Sequence, residues 1–343
     1  MNNSTTTRNG ILVSIIIVNY NGNRFLLNCL RSVLDTDFPD FEVILVDNGS
    51  TDRSIELARK VYGNDPRLFF IMNPQNLGFG GGNNVGVMSS RGTHIVFLNN
   101  DVEVDHNWLR ELVNVVESDQ TIGAAQCKIM LLDDQRLIDS AGDYVNTLGF
   151  SFSRGRGQTD VGQFDRICDI FSARGAAMIV KRTVFETVRG FDTLYFVQYD
   201  DIDLGWRIRL AGYRIVFVPK SIVFHAGRIA TDKMNLSNIL FHECKGYLLT
   251  MIKNYEAKNL IRYNPFVTVV GGLIPDIFQR KNAPSILARL MVLKWFFVNL
   301  PLVVDARRQV QRNIRRVPDS EIIKLMRTTS YGQAFLSMVS HKS

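Results

Sequence analysis

Several carboxylates and amides stand where polar chemistry needs them, directly after apolar runs. Asp101 follows His94-Ile-Val-Phe-Leu and the pair Asn99 and Asn100, Asp47 closes Phe41-Glu-Val-Ile-Leu-Val, and His225 follows Val223-Phe224. Asp200 and Asp201 are adjacent, three and two residues before Asp203. Asn99 and Asp101, two apart on extended chain, point to one side and offer oxygen atoms to a single hard cation. His225 is the candidate that would complete such a divalent-metal site with a nitrogen ligand. Adjacent carboxylates repel, which raises the proton affinity of at least one of them, as a general base requires. Each feature also has a plainer reading. Asn-Asn-Asp is ordinary turn chemistry, Asp47 to Asp52 reads as a turn and helix cap, and acids at a helix start complement its dipole. Asp203 is assigned to that structural role, with Arg207 four residues on as its partner.

The elements that must hold these residues are legible from hydrophobic periodicity. Residues 13–18 form a β-branched run of the kind found in buried parallel strands, and it stops at Asn19 and Tyr20. A helix from about residue 23, a strand at 41–46, a helix from about 52 to 62, a strand at 68–72, a helix after the glycines and the strand before Asn99 follow in turn. Four strand-helix alternations in about a hundred residues predict an α/β fold, a doubly wound and mainly parallel sheet. Such sheets bind ligands beyond their strand ends, so Asn19, Tyr20, Asp47, Asn48, Asn99 and Asn100 should share one crevice. Asp47 there suits hydrogen bonds from a nucleobase or ribose. Gly78-Phe-Gly-Gly-Gly-Asn83 opens the third helix. It departs from the dinucleotide fingerprint because Asn83 replaces the third glycine and the segment follows the third strand. Its readings are a turn that lets a helix pack close, or a loop whose backbone approaches a bulky ligand. A helix over 108–118 and a strand around 124–130 come next. Residues 131–169 lose the alternation and read as hairpins and mobile loops, and a strand is expected over 213–219.

With 343 residues and 46% hydrophobic content, the chain predicts one large domain and a smaller appendage. The expected division is a flexible N-terminus at 1–12, a catalytic domain at 13–240 and a helical C-terminal extension at 241–343. Cys29, Cys127, Cys168 and Cys244 show no paired spacing, which points to a reducing compartment without structural zinc. A net charge of +7 suits anionic partners. Its densest cluster, Arg307, Arg308, Arg312, Arg315 and Arg316, adjoins an apolar region rather than stacking aromatics, favouring an anionic membrane surface over nucleic acid. The apolar stretches 266–274 and 286–304 are too short or too interrupted to span a bilayer. Leu290, Leu293, Trp295, Phe296, Phe297 and Leu300 suit its interface instead, with a helical cap over the sheet or an oligomer contact as the competing use. The expected location is cytoplasmic, peripheral on the inner face of the cell membrane.

Taken together, residues 13–21, 46–52, 76–84, 97–101, 200–203 and 225 resemble the inverting family 2 glycosyltransferases of GT-A fold, most of all their rhamnosyltransferase-like branch. The resemblance covers about two thirds of the chain, in the family's order and spacing. It implies that Asp47 holds the donor's base, that Asp101 binds a divalent metal (Mg2+ or Mn2+) bridging the donor diphosphate, and that His225 is a further ligand. It also implies that Asp201, with Asp200 as the other member of the acidic pair, is the catalytic base. The usual D-x-D triplet is Asn99-Asn100-Asp101 here, so one carboxylate is missing and donor phosphates must supply more of the coordination. The implied partners are a nucleotide-diphosphate sugar and a saccharide or lipid-linked saccharide acceptor, with a homo-oligomer as a further candidate. Two other classes compete: a non-catalytic membrane-associated sugar-binding scaffold, and a dinucleotide-dependent oxidoreductase.

Overall fold

The computed structural model describes residues 13–227, 234–273 and 283–329. The expected flexible N-terminus at 1–12 therefore lies outside the described residues, as does residue 274. The strands are β1 Val13–Asn19, β2 Phe41–Asp47, β3 Leu68–Met72, β4 His94–Asn99, β5 Val102–Val104, β6 Ile122–Leu131, β7 Ile138–Ser140, β8 Asp143–Val145, β9 Ser151–Ser153, β10 Cys168–Asp169, β11 Ala177–Lys181 and β12 Arg214–His225. The helices are α1 Leu26–Leu34, α2 Ser54–Tyr62, α3 Gly78–Met88, α4 Trp108–Ser118, α5 Arg182–Thr187 and α6 Asp200–Leu210, then α7 Leu236–Asn254, α8 Ala257–Arg262, α9 Pro265–Gly271, α10 Ala283–Val298, α11 Leu300–Gln309 and α12 Asp319–Ile323.

The main sheet runs β10-β12-β6-β11-β4-β1-β2-β3, with β5 paired to β12 and β7 to β6. Strands β4, β1, β2 and β3 are parallel, as the alternation predicts. Beyond β4 the sheet changes character, because β11 inserts antiparallel between β4 and β6. The periodicity of residues 177–181 alone says nothing of direction, which the connection through α4 and β6 decides. Both faces are covered: one core packs Ile16, Ile44 and Phe97 with Phe191 and Trp206, the other packs Ile15, Ile17 and Leu45 with Leu30 and Trp108. Helix α3 lies close on the sheet because Gly86 has no side chain; a Cβ there would sit 2.4 Å from Ile16 Cγ2.

Two boundaries differ from expectation. The strand expected to end at residue 219 runs on through His225, with a register break between Val218 and Ile222 where Pro219, lacking an N–H, falls out of the ladder. The domain boundary expected at residue 240 falls inside α7. Helix α7 packs on α6, and on α9, α10 and α11.

That junction is ionic. Asp203 is fully buried; its carboxylate accepts from Arg207 Nε at 2.8 Å, Lys253 Nζ at 3.0 Å and Asn254 Nδ2 at 3.0 Å. Burial alone would raise its pKa, but Arg207 and Lys253 hold it down to about 2. Lys253, also buried, bonds Asp192 as well. Removing the carboxylate strands the buried Arg207 cation without its acid and leaves Lys253 with Asp192 alone. Asp203→Ala should therefore cost about 3–5 kcal/mol in urea denaturation monitored by circular dichroism; a loss below about 1 kcal/mol would mean that water reaches the site.

Candidate active site

The parallel register places Asn19 of β1 opposite Asp47 of β2, with Val18 opposite Asn99 of β4. Three polar strand ends thus reach one sheet edge. Asn19 is buried and fully engaged: Nδ2 donates to Ser50 Oγ at 3.1 Å and Ser54 Oγ at 2.9 Å, while Oδ1 accepts from Asn100 Nδ2 at 2.8 Å. Asn100 therefore turns toward the strand ends, away from the Asp101 side. Tyr20 is exposed beside them. Asp47 is nearly covered and accepts from Ser50 N at 3.3 Å through both oxygens, long bonds that a better donor would replace.

Two residues expected at the donor hydrogen-bond within the protein. Asn48 is buried and clasps the glycine segment: Nδ2 donates to Asn76 Oδ1 and to the carbonyl of Gly78, and Oδ1 accepts from Asn73 Nδ2 and Leu77 N. Asn83 is buried within α3 and donates back to the Phe79 carbonyl. Gly78, the other expected donor contact, has φ +75°, and a Cβ there would lie 2.3 Å from the Phe196 carbonyl oxygen. The glycine segment thus abuts the loop that leads into α6. Such close packing is one of the two uses its sequence offers.

Asp101 lies just past β4, nearly buried, and His225 ends β12. His225 Nε2 is 3.4 Å from Asp101 Oδ1 and 3.5 Å from Asn99 Nδ2. The strand-end amide, carboxylate and imidazole expected to share a cation therefore converge. On its far side His225 Nδ1 meets Asp139 Oδ2 at 2.9 Å. Burial pulls the imidazolium down, but Asp101 and Asp139 outweigh it and push its pKa up to about 9. Among the described residues no three His, Cys, Asp or Glu side chains form a ready-made metal cage. Asp101 and His225 are nevertheless a hard oxygen and an imidazole nitrogen on one edge, and Asp139 leaves Nε2 pointing at it. That donor pair fits a divalent cation whose remaining ligands come from substrate.

Asp139 was not found by sequence reasoning, nor were Arg174 and Asp143 beside it. Arg174 reaches Asp139 at 3.3 Å and Asp143 at 3.2 Å, and also bonds Ser153. The next residue, Gly175, donates its N–H to Asp201 Oδ2 at 3.0 Å. The metal-side cluster and the acidic pair are thereby joined through one dipeptide. The signal in the sequence is faint: Asp139 and Asp143 bracket Ser-Ala-Gly within the segment where alternation fails.

Before α6, Gln198 and Tyr199 both adopt left-handed backbone (φ 67° and 63°), a reversal that delivers Asp200 and Asp201 at the first turn. Asp201 Oδ1 accepts from Ile202 N at 2.8 Å. Burial raises its proton affinity, and the nearby Asp143 carboxylate adds to this. Asp200 is more perturbed: burial, then Asp201, push its pKa up to about 8, and its Oδ2 has no hydrogen-bond partner. A buried Asp200 that holds its proton near neutral pH gives the two members of the pair unlike roles.

The folded chain thus keeps a proton on Asp200 that the unfolded chain releases near its ordinary 3.8. This group weakens folding progressively as pH rises from about 4 to about 8. Asp200→Asn should melt above the wild type at pH 8, with the difference vanishing near pH 4 in differential scanning calorimetry. A pH-independent difference would show that Asp200 is ionised in the fold.

A family model described as Glycosyl transferase family 2 matches residues 14–188. The O-antigen biosynthesis protein RfbC of Myxococcus xanthus is 33% identical over 208 residues, covering 57% of this chain but only 16% of that protein. The chain thus spans a small part of this curated relative. Among solved structures, the mannosyltransferase PcManGT from Pyrobaculum calidifontis, in complex with GDP-Man and Mn2+, superposes with TM-score 0.53 at 17% identity, covering 96% of this chain and 86% of that one. GalNAc-T7 with UDP, GalNAc and Mn2+ superposes with TM-score 0.62 at 16% identity, covering 87% and 58%. These likenesses bear on the fold, and the expected GT-A architecture agrees with them. The family match sets aside both the scaffold and the oxidoreductase readings.

Proposed function

Since this chain belongs to glycosyl transferase family 2, we propose that it transfers a sugar, with inversion, from a nucleoside-diphosphate sugar to an acceptor hydroxyl. The observation that carries this reading is the meeting of Asp101 Oδ1 and His225 Nε2 at 3.4 Å on the sheet edge where the strand ends converge. The nucleotides in the complexes of PcManGT and GalNAc-T7, and their Mn2+, support the same donor class and a divalent cation. The name of the RfbC relative supports an acceptor in bacterial polysaccharide assembly, free or lipid-linked.

In this mechanism Asp47, at the end of β2, accepts hydrogen bonds from the donor's base or ribose in place of its long contacts to Ser50. Asp101 and His225 would hold a divalent cation, which when bound would neutralise charge on the departing diphosphate. Asp139 holds the proton of His225 on Nδ1, so that an incoming cation would displace only the proton on Nε2 and find its lone pair there. Asp201 takes the acceptor's hydroxyl proton as the acceptor oxygen forms its bond to the anomeric carbon from the opposite face. The bond to phosphate breaks in the same displacement, its electron pair leaves with the nucleoside diphosphate, and the anomeric centre inverts. Asp200, protonated and buried, leaves Asp201 as the single ionised member of the pair.

Removing the base should leave donor binding intact. Asp201→Asn is expected to lower kcat by about 10²–10⁴-fold, with the nucleotide-sugar Kd from isothermal calorimetry unchanged within about threefold. Comparable loss in both quantities would make Asp201 a binding residue and leave the base unassigned. Asp101→Ala should bind nucleoside diphosphate with the same affinity whether or not Mn2+ is present, whereas the wild type binds more tightly with it. An undiminished Mn2+ enhancement in that variant would move the cation elsewhere.

A further inference from the structure

The C-terminal helices carry apolar surface that the fold does not use. Helix α10 buries Ala288, Val292 and Phe296, spaced by four, against the rest of the domain. Its opposite side exposes Leu287, Leu290 and Phe297, also at helical spacing. A helix apolar on two sides has a second apolar environment to enter. The exposed side continues round a corner: α10 and the following helical stretch meet at 75°, and Val298, Leu300 and Leu302 stand out beside the bend. Phe297 is 85% exposed and Val298 66%, values at which water rarely meets such residues in clusters. No single described helix is long and apolar enough to cross a membrane.

Charge gathers at the same place. Residues 283–316 hold seven basic side chains and one acid, Asp305, in a chain whose net charge is +7. Arg307 and Arg315 turn inward and bond the carbonyls of Tyr255 and Asn254. Arg308 and Arg312 stay exposed, without an acidic partner among the described residues, and line a cleft of about 560 Å³ with Val304 and Gln311. Expected outer-surface residues sort accordingly: Leu290, Phe297 and Leu300 are exposed, Phe296 is buried, and Leu293 and Trp295 are half-buried against the core.

We propose that the α10–α11 corner docks on an anionic lipid bilayer, with Phe297, Val298, Leu300 and Leu302 entering the interface and Arg308 and Arg312 meeting lipid phosphates. The combination selects the partner. A second copy of this chain would bring its own Arg308 and Arg312 to the seam, whereas an anionic bilayer supplies apolar depth and negative charge together. The inference is independent of the glycosyl-transfer chemistry, because none of these residues belongs to the catalytic crevice.

Flotation of the full chain with vesicles tests it. Vesicles of phosphatidylcholine mixed with phosphatidylglycerol should carry the protein upward, vesicles of phosphatidylcholine alone should carry far less, and added salt should weaken the binding. Phe297→Ser with Leu300→Ser should weaken partitioning at least about tenfold, and Arg308→Ala with Arg312→Ala by on the order of tenfold. All four side chains are exposed, so thermal melting of the variants should match the wild type and exclude unfolding as the cause. No flotation with anionic vesicles, or flotation that both double variants retain, overturns the proposal. So does sedimentation of the wild type as a dimer that Phe297→Ser with Leu300→Ser dissolves, since the face would then be buried between copies. Failure here leaves nucleotide binding and transfer untouched, and their failure leaves flotation untouched.

Discussion

The buried carboxylate of Asp203 is the constraint on which the placement of the acidic pair rests. It is the one ion in α6 that never reaches water, and three donors from two helices close around it. Buried ion pairs seldom add net stability over an apolar equivalent, because desolvation offsets attraction. What this one fixes is position: Lys253 and Asn254 reach it only if α7 lies in one register along α6. The same Lys253 bonds Asp192, and Arg207 bonds the carbonyl of Gly190 at 2.7 Å, so the loop before α6 is held by the same charges. Asp200 and Asp201 start the helix that Asp203 anchors. Their desolvation, and hence their raised proton affinity, is a consequence of that anchoring rather than of their adjacency alone.

The two halves of the sheet explain what could be read from the chain. Strands β1, β2 and β4 are parallel and buried on both faces, so each prints a continuous apolar run followed by its polar end, while the parallel edge strand β3 is partly exposed. Asn19, Asp47 and Asn99 were legible for that reason, and so was the edge they share. Asp101 and His225 were paired by the resemblance and by ligand chemistry, and the register of β12 with β5 brings them together. Asp139 was illegible because its contact with His225 spans 86 positions and depends on β7 pairing with β6 and β12 lying on the other side of β6. No local pattern encodes such a pairing. The polar character of residues 139–143 was visible, but it reads as loop chemistry until the sheet order is known.

The strand-end amides are harder to sort from sequence for a related reason. An Asn after a strand has the same letter whether it faces substrate or ties down its own loop. Asn48 is engaged through both ends of its amide within the protein, while Asn83 and Asn100 each donate one hydrogen bond through Nδ2, to the Phe79 carbonyl and to Asn19 Oδ1. Asp47 differs in that its side chain accepts, among the described residues, only long bonds from Ser50 N, and a nearly buried carboxylate so poorly satisfied retains most of its capacity to accept. Satisfaction of hydrogen bonds, which sequence cannot supply, separates these amides from the acid that still has something to offer.

Arg174 ties these threads into one electrostatic unit. It faces Asp139 and Asp143 from within the fold, and its neighbour Gly175 holds Asp201. Asp139 in turn faces His225, whose other nitrogen faces Asp101. Charges therefore alternate in sign from Asp101 through His225, Asp139 and Arg174 to Asp143. Burying any one of them alone would be expensive, and burying them in alternation is not. The chain of contacts also means that the cation side and the base side of the crevice are not independently adjustable. A shift of β7 that moved Asp139 would reorient His225 and, through Arg174 and Gly175, disturb the N–H that helps to hold Asp201. His225, Asp139 and Asp143 stand on β-strands, which favours the preorganisation that electrostatic catalysis needs, since the dipoles and charges must already be in place when the reacting atoms arrive.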